Sequence, residues 1–199
     1  VCISARAAML TGRANSSIGV LSNHHDLRFD NPRFLSWTFA QNGYQTASFG
    51  KHHYASKRKA FDVEGGTTLG DRVSCTEYLG DADMDEYNAV RYENGEMWKW
   101  LLAGRFPGEV EDTPEMFSTN EALTWLSQRD VNRPYFLRVS YLAPHTPVVT
   151  PAPWDTMINP DDIDIPIDSR DEMTGVPKHM SDHLQRFAGS HVFSEEQIR

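Results

Sequence analysis

The sequence predicts an α/β fold, helices layered on a sheet, and two observations predict it. Segments with helical spacing alternate with short β-prone runs, and both clear β-prone runs end in clusters of polar residues, at Gly50-Lys51-His52-His53 and at Ala143-Pro144-His145. Open α/β sheets place their sites at the carboxyl ends of strands. With 199 residues the chain is long enough for a well-buried domain.

Residues 3–10 read as one or two helical turns, because Ala7, Ala8, Met9 and Leu10 are good helix formers. Asn31-Pro32 offers an N-cap followed by proline at the first helical position. Phe34, Leu35, Thr38 and Phe39 then repeat at helical spacing, and Gly43 after Asn42 supplies the stop. Tyr44 to Phe49 alternates and reads as a strand. Residues 54–112 combine glycine, aspartate and aromatics with weak periodicity, which predicts long loops and short surface elements. Thr113-Pro114-Glu115 opens a helix with Met116, Thr119, Leu123 and Leu126 on one face and Pro134 as its breaker. Tyr135 to Leu142 reads as a buried strand. Prolines and aspartates make 148–179 extended and irregular, and Ser194-Glu195-Glu196-Gln197 has the pattern of a helix start.

Composition narrows the function. At 39% hydrophobic and 24% charged residues the chain is an ordinary globular one, and no apolar run approaches the ~18 residues of a membrane span. The net charge of −9 argues against a nucleic-acid partner, whose phosphates need basic patches. The run Lys57-Arg58-Lys59 reads as a solvated loop. Cys2 and Cys75 make no disulfide framework, and Cys75 reads as a buried or idle thiol. Localisation and oligomeric state stay open.

The opening segment carries the chemistry. Cys2 stands at the head of a helix-forming run, where the helix dipole stabilises anions, with Arg6 four residues on and Leu10-Thr11-Gly12-Arg13 after it. This spacing resembles the type I sulfatase signature, Cys-x-Pro-Ser-Arg-x-x-x-Leu-Thr-Gly-Arg. Cys2, Arg6, Leu10, Thr11, Gly12 and Arg13 fall in register, while Ser4 stands for the usual Pro and Ala5 for the usual Ser. Gly19-Val20, Gly50-Lys51-His52-His53 (for Gly-Lys-x-His) and Pro144-His145-Thr146-Pro147 (for Pro-His-x-Pro) continue the resemblance in order. It covers 1–53 and 113–166 and passes over 54–112.

The resemblance implies an alkaline-phosphatase-like α/β/α sandwich with a mixed sheet, incomplete in this chain. On that frame 1–53 holds the nucleophile motif and Gly-Lys-x-His, and 54–112 is a variable loop region. Residues 113–147 form a helix and strand ending in Pro-His-x-Pro, and 148–199 a linker and the start of the next helix. The implied activity is sulfuric ester hydrolysis. Cys2 would be oxidised by a formylglycine-generating enzyme, and the hydrated aldehyde would attack sulfur with one hydroxyl, then expel sulfate through the other. Arg6 would support the hydrate with His53 as its partner, Lys51 would bind sulfate oxygens, and His145 would act near the leaving oxygen. A tetrahedral anion needs such cations and donors. The substrate class is a small-molecule or saccharide sulfate ester.

The family's calcium is held by oxygen ligands. Cys2, as formylglycine, is the one implied ligand here; two aspartates just upstream of the cysteine motif, and an Asp with an Asn or Gln well downstream, are expected outside this chain. The chain alone is therefore expected to be a poor hydrolase. Asp81, Asp83 and Asp85 begin like an EF-hand loop, but Glu86 and Tyr92 occupy positions that need Gly and Glu, so they read as a solvated acidic loop. Asp161, Asp162 and Asp164 read as surface turns. His24-His25 lacks a third ligand at useful spacing and reads as polar surface or cleft residues. The alternatives are a phosphonate or phosphodiester hydrolase of the same superfamily, and an inactive relative that binds anions or a partner. Tyr78, Tyr87, Tyr92, Trp98 and Trp100 serve a sugar- or aryl-binding cleft or ordinary packing equally well.

Overall fold

A computed structural model describes residues 2–23, 33–54, 58–66, 90–94, 98–145, 147–164 and 175–179. Side chains of 90–94 and 98–102 are outside that description, and so are His24-His25, Asn31-Pro32, Lys57, Cys75, the 81–86 acidic run and Ser194 to Gln197. The chain divides into two compact units: residues 1–78 with 108–145, and residues 79–107 with 146–199.

In the first unit, α1 (Cys2–Thr11) leads through a glycine turn to the short α2 (Asn15–Ile18), closed by Gly19 in the left-handed region. Helix α3 (Leu35–Gln41) stops at Asn42 and Gly43, the latter at φ 86°, a stop that needs no β-carbon. Strands β1 (Gln45–Gly50) and β2 (Val63–Gly65) follow. Beyond the second unit's β3 and β4, given below, α4 (Pro114–Gln128) and β5 (Tyr135–Ser140) complete the unit. The sheet order is β2-β1-β5, all parallel, with Ser48 opposite Arg138 and Gly50 opposite Ser140.

Residues alternate across β1, so one face gives Ala47 and Phe49 to a core and the other carries the buried Thr46 and Ser48. Ala47 and Phe49 pack with Ala122, Trp125 and Leu137 under α4. On the other side Leu10 of α1 and Phe34 join Tyr54, Ala60, Phe61, Trp37 and Phe136. Helices therefore cover both faces, the sandwich expected from the sequence, and β1 is buried almost throughout.

The start of α4 is as read: the Thr113 side chain accepts from the Met116 amide at 3.3 Å, and Pro114 takes the first position. Its buried face is not. Ser118 and Ala122 are buried whereas Leu123 is 57% exposed. Small residues face the sheet because the chain comes so close there. A β-carbon on Gly50 would lie 3.3 Å from Ser118 Oγ, and one on Gly66 3.1 Å from it. Nor does Pro134 end the helix; the turn at Arg129 does. Strand β5 is only half-buried, with Tyr135 and Val139 exposed, since among the described strands it pairs on one side only.

The second unit contains β3 (Val90–Asn94), β4 (Trp98–Arg105) and β6 (Val148–Thr150), in the order β3-β4-β6. This sheet is mixed: β3 and β4 are antiparallel with an irregularity at Val90/Arg91, and β4 and β6 parallel. An eight-residue strand corrects the expectation of loops and short elements over 54–112; its aromatic-rich sequence was the available signal. Single turns at Trp154–Thr156 and Pro160–Asp162, the latter exposed, fit the irregular 148–179 segment. Arg105 Nε lies 3.3 Å from Asp155 Oδ2. No described helix is long and apolar enough to cross a membrane.

Candidate active site

The site is assembled at the carboxyl ends of β1 and β5, with the start of α1 against them. Gly50 ends β1 at φ 90°, and a β-carbon there would stand 2.1 Å from the Ser140 carbonyl oxygen, so only glycine lets the two strand ends close. That approach lets the Lys51 amide donate to Ser140 O at 2.7 Å. The Lys51 side chain is consequently buried, at 4% exposure. His53 follows at φ 46°, a left-handed conformation costly for a side chain bearing a β-carbon. Such strained backbone concentrates at functional positions.

The turn places the His53 ring on Cys2, with Nδ1 3.3 Å from the Cys2 sulfur. Cys2 is the first residue of α1, and its sulfur is also 3.6 Å from Asn23 Oδ1. That same oxygen accepts from the Ile3 amide at 3.0 Å, satisfying one of the open donors at the helix start. Arg6 lies one turn on, on the same face as Cys2. Its Nη1 donates to Lys51 O at 2.9 Å and to Ser140 Oγ at 2.7 Å. From β5, Arg138 donates to Ser48 Oγ at 3.0 Å, Lys51 O at 3.1 Å and Ser140 Oγ at 3.2 Å.

Burial holds the Lys51 ammonium and the Arg6 guanidinium below their ordinary values; Cys2 opposes the shift in both, and Arg6 adds to it for Lys51. Burial, then Lys51, Arg6 and His145, push His53 down and favour its neutral ring. His145 sits on an exposed turn whose amide donates to Leu142 O at 3.0 Å, close enough for its charge to bear on His53. Cys2, Arg6, Lys51 and His53 thus come together, with His145 at their edge. The sequence reading missed Asn23, Arg138 and Ser140. Only the alternation of β5, which puts Arg138 and Ser140 on one face, hinted at the last two.

A hard cation such as calcium needs several oxygen ligands. Among the described residues no group of three His, Cys, Asp or Glu could hold a metal, and around Cys2 stand the His53 ring, one amide oxygen and the cations Arg6 and Lys51. These residues do not by themselves fit a calcium ion.

The family model described as Sulfatase matches residues 1–189. The chain is 29% identical to a multifunctional alkaline phosphatase superfamily protein of Trinickia caryophylli, over 93% of this chain and 40% of that protein. It is 24% identical to an arylsulfatase of Clostridium perfringens, over 83% of this chain and 38% of that protein. It spans about two fifths of the length of these relatives. Among solved structures, a phosphonate monoester hydrolase from Silicibacter pomeroyi matches with a TM-score of 0.67 at 22% identity, covering 99% of this chain and 44% of that one. That likeness shows a shared fold.

Proposed function

This chain belongs to the sulfatase family, and from that premise we propose that it supplies the nucleophile and the cationic cradle of a sulfuric ester hydrolase acting on a small-molecule or saccharide sulfate. The observation that carries the reading is the convergence of Cys2, Arg6, Lys51 and His53 where two parallel strands end, with His145 beside them. Conversion of Cys2 by a formylglycine-generating enzyme would supply a hydrated aldehyde oxygen as nucleophile in place of sulfur. His53, 3.3 Å from the Cys2 sulfur and held toward its neutral form, is placed to take or return a proton at that position. Arg6 offsets negative charge there. The buried Lys51 ammonium faces the anion, and desolvation strengthens its attraction for sulfate oxygens. His145, exposed on its turn beside the cluster, would act near the alcohol oxygen as it leaves. The calcium that the resemblance implies would draw its oxygen ligands from other residues.

A tetrahedral phosphonate or phosphate ester suits the same cations, so the test compares esters. The intact protein is assayed on aryl sulfate, aryl phosphonate monoester and aryl phosphodiester, with mass spectrometry of the Cys2 peptide. Fastest turnover of the sulfate, together with an aldehyde at position 2, is expected. A faster phosphonate or phosphodiester rate moves the assignment to those esters. Unmodified thiol with no turnover of any of them leaves an inactive anion-binding relative.

A further inference from the structure

We propose that Arg138 is a positioning residue for this pocket, holding Arg6 in place through two shared acceptors, the Lys51 carbonyl and the Ser140 hydroxyl. The proposal rests on the function put forward above. An oxygen of either type has two lone pairs. On Lys51 O they receive Arg6 Nη1 at 2.9 Å and Arg138 Nη2 at 3.1 Å. On Ser140 Oγ they receive the same two guanidiniums, at 2.7 and 3.2 Å. Each acceptor is filled, so either guanidinium shifts only by giving up its bonds to oxygens that the other also holds in place. Arg138 is fixed from behind by Ser48, its direct neighbour across the parallel pairing, at 3.0 Å.

Stability does not account for this arrangement. Two cations lie side by side, partly buried, with Lys51 close by, and among the described residues none of the three has a carboxylate within ion-pair distance. Burial and then Arg6 push Arg138 down to about 10, against a smaller upward pull from Tyr54 and Glu64, so it stays charged at neutral pH. Buried charge with no ion-pair partner is costly. Grouped at strand ends beside a nucleophile, it gathers positive potential where an anion would sit.

The test is a double-mutant cycle in the intact protein. Arg138→Met is expected to lower kcat on the preferred ester about 10- to 100-fold with KM changed less than about twofold, because Arg6 acts on the nucleophile. In an Arg6→Lys background the same substitution should change kcat less than about twofold. A purely structural Arg138 would cost the same in both backgrounds, and that result overturns the proposal. Arg138→Lys, which keeps the charge but cannot reach three acceptors, serves if the Met variant fails to fold and should reproduce most of the kcat loss. A second readout needs no turnover. With Cys2 left as thiol, the ratio of its alkylation rates by iodoacetate and iodoacetamide reports local positive potential, and Arg138→Lys, which keeps the charge but not the hold on Arg6, should lower it several-fold. An unchanged ratio in a protein that turns over esters overturns the positioning role alone. A lowered ratio in a protein that hydrolyses no ester supports the positioning role and removes the hydrolase reading.

Discussion

Two polar clusters lie close together in the first unit and are built on opposite plans. At the end of β1, the guanidiniums of Arg6 and Arg138 meet on the Lys51 carbonyl and the Ser140 hydroxyl, with the Lys51 ammonium in the same cluster and no acid bonded to them among the described residues. On β2, one carboxylate oxygen of Glu64 accepts from the Tyr54 hydroxyl, the Ala60 amide at 2.7 Å and the Phe61 amide at 3.1 Å. Burial, then Glu64, hold the Tyr54 phenol well above its ordinary range, so the hydroxyl keeps its proton for that bond. In the Glu64 cluster each of these three donors has its acceptor on one carboxylate oxygen. The Lys51 cluster carries positive charge in excess of its acceptors. A network bonded within the chain holds it together; a cluster of one sign without an ion-pair partner is suited to an anion.

The contrast can be broken experimentally. The largest effect belongs to Lys51→Ala, expected to lower kcat by about 10²–10³-fold, the cost of removing a charge-stabilising donor, with little change in melting temperature. A strong loss of stability at unchanged kcat would place Lys51 with the structural cluster instead. Next is Glu64→Ala, which strands the buried Tyr54 hydroxyl and two amides. Denaturant unfolding should show a loss of about 1–3 kcal/mol for the buried hydroxyl alone, while turnover per folded molecule is retained. Thr113→Ala removes the cap of α4, the helix packed on the far face of β1, and touches neither cluster. It should cost about 1 kcal/mol and leave sulfate affinity by calorimetry unaltered; altered affinity would mean the pocket responds to the scaffold generally.

The smallest expected effect is in pH. His52 and His53 are both held below the ordinary histidine value, chiefly by burial. A lowered folded value makes their contribution to stability fully present above the unfolded value, about 6.5, and lost as pH falls through the folded one. Melting temperature should therefore decline below about pH 6.5, and less steeply with sulfate, which offsets the charge gained by His53. Identical slopes with and without sulfate would mean that no anion reaches His53.

Much of the site was legible because its residues sit in local patterns. Cys2 and Arg6 are one helical turn apart, and Lys51 and His53 follow a strand that its own alternation announces. The face of α4 was not legible. Its apolar positions suggested Leu123 inward, but the decision came from Gly50 and Gly66, whose bare backbones leave room for Ser118 and no more. Strand β4 was passed over because its aromatic and aliphatic residues show no clean period.

What the sequence by itself determined is the alternation of helix and strand, the caps at Thr113 and Gly43, and the ordered motifs that carry Cys2, Arg6, Lys51, His53 and His145, all consequences of near-neighbour chemistry. What only the tertiary structure decided is the company these residues keep. Arg138 is 132 residues from Arg6 along the chain, and no local rule links them. The parallel pairing of β1 with β5 sets Ser48 against Arg138 and Gly50 against Ser140, and that register, fixed by sheet hydrogen bonds and by cores on both faces, brings the two guanidiniums onto one carbonyl and one hydroxyl.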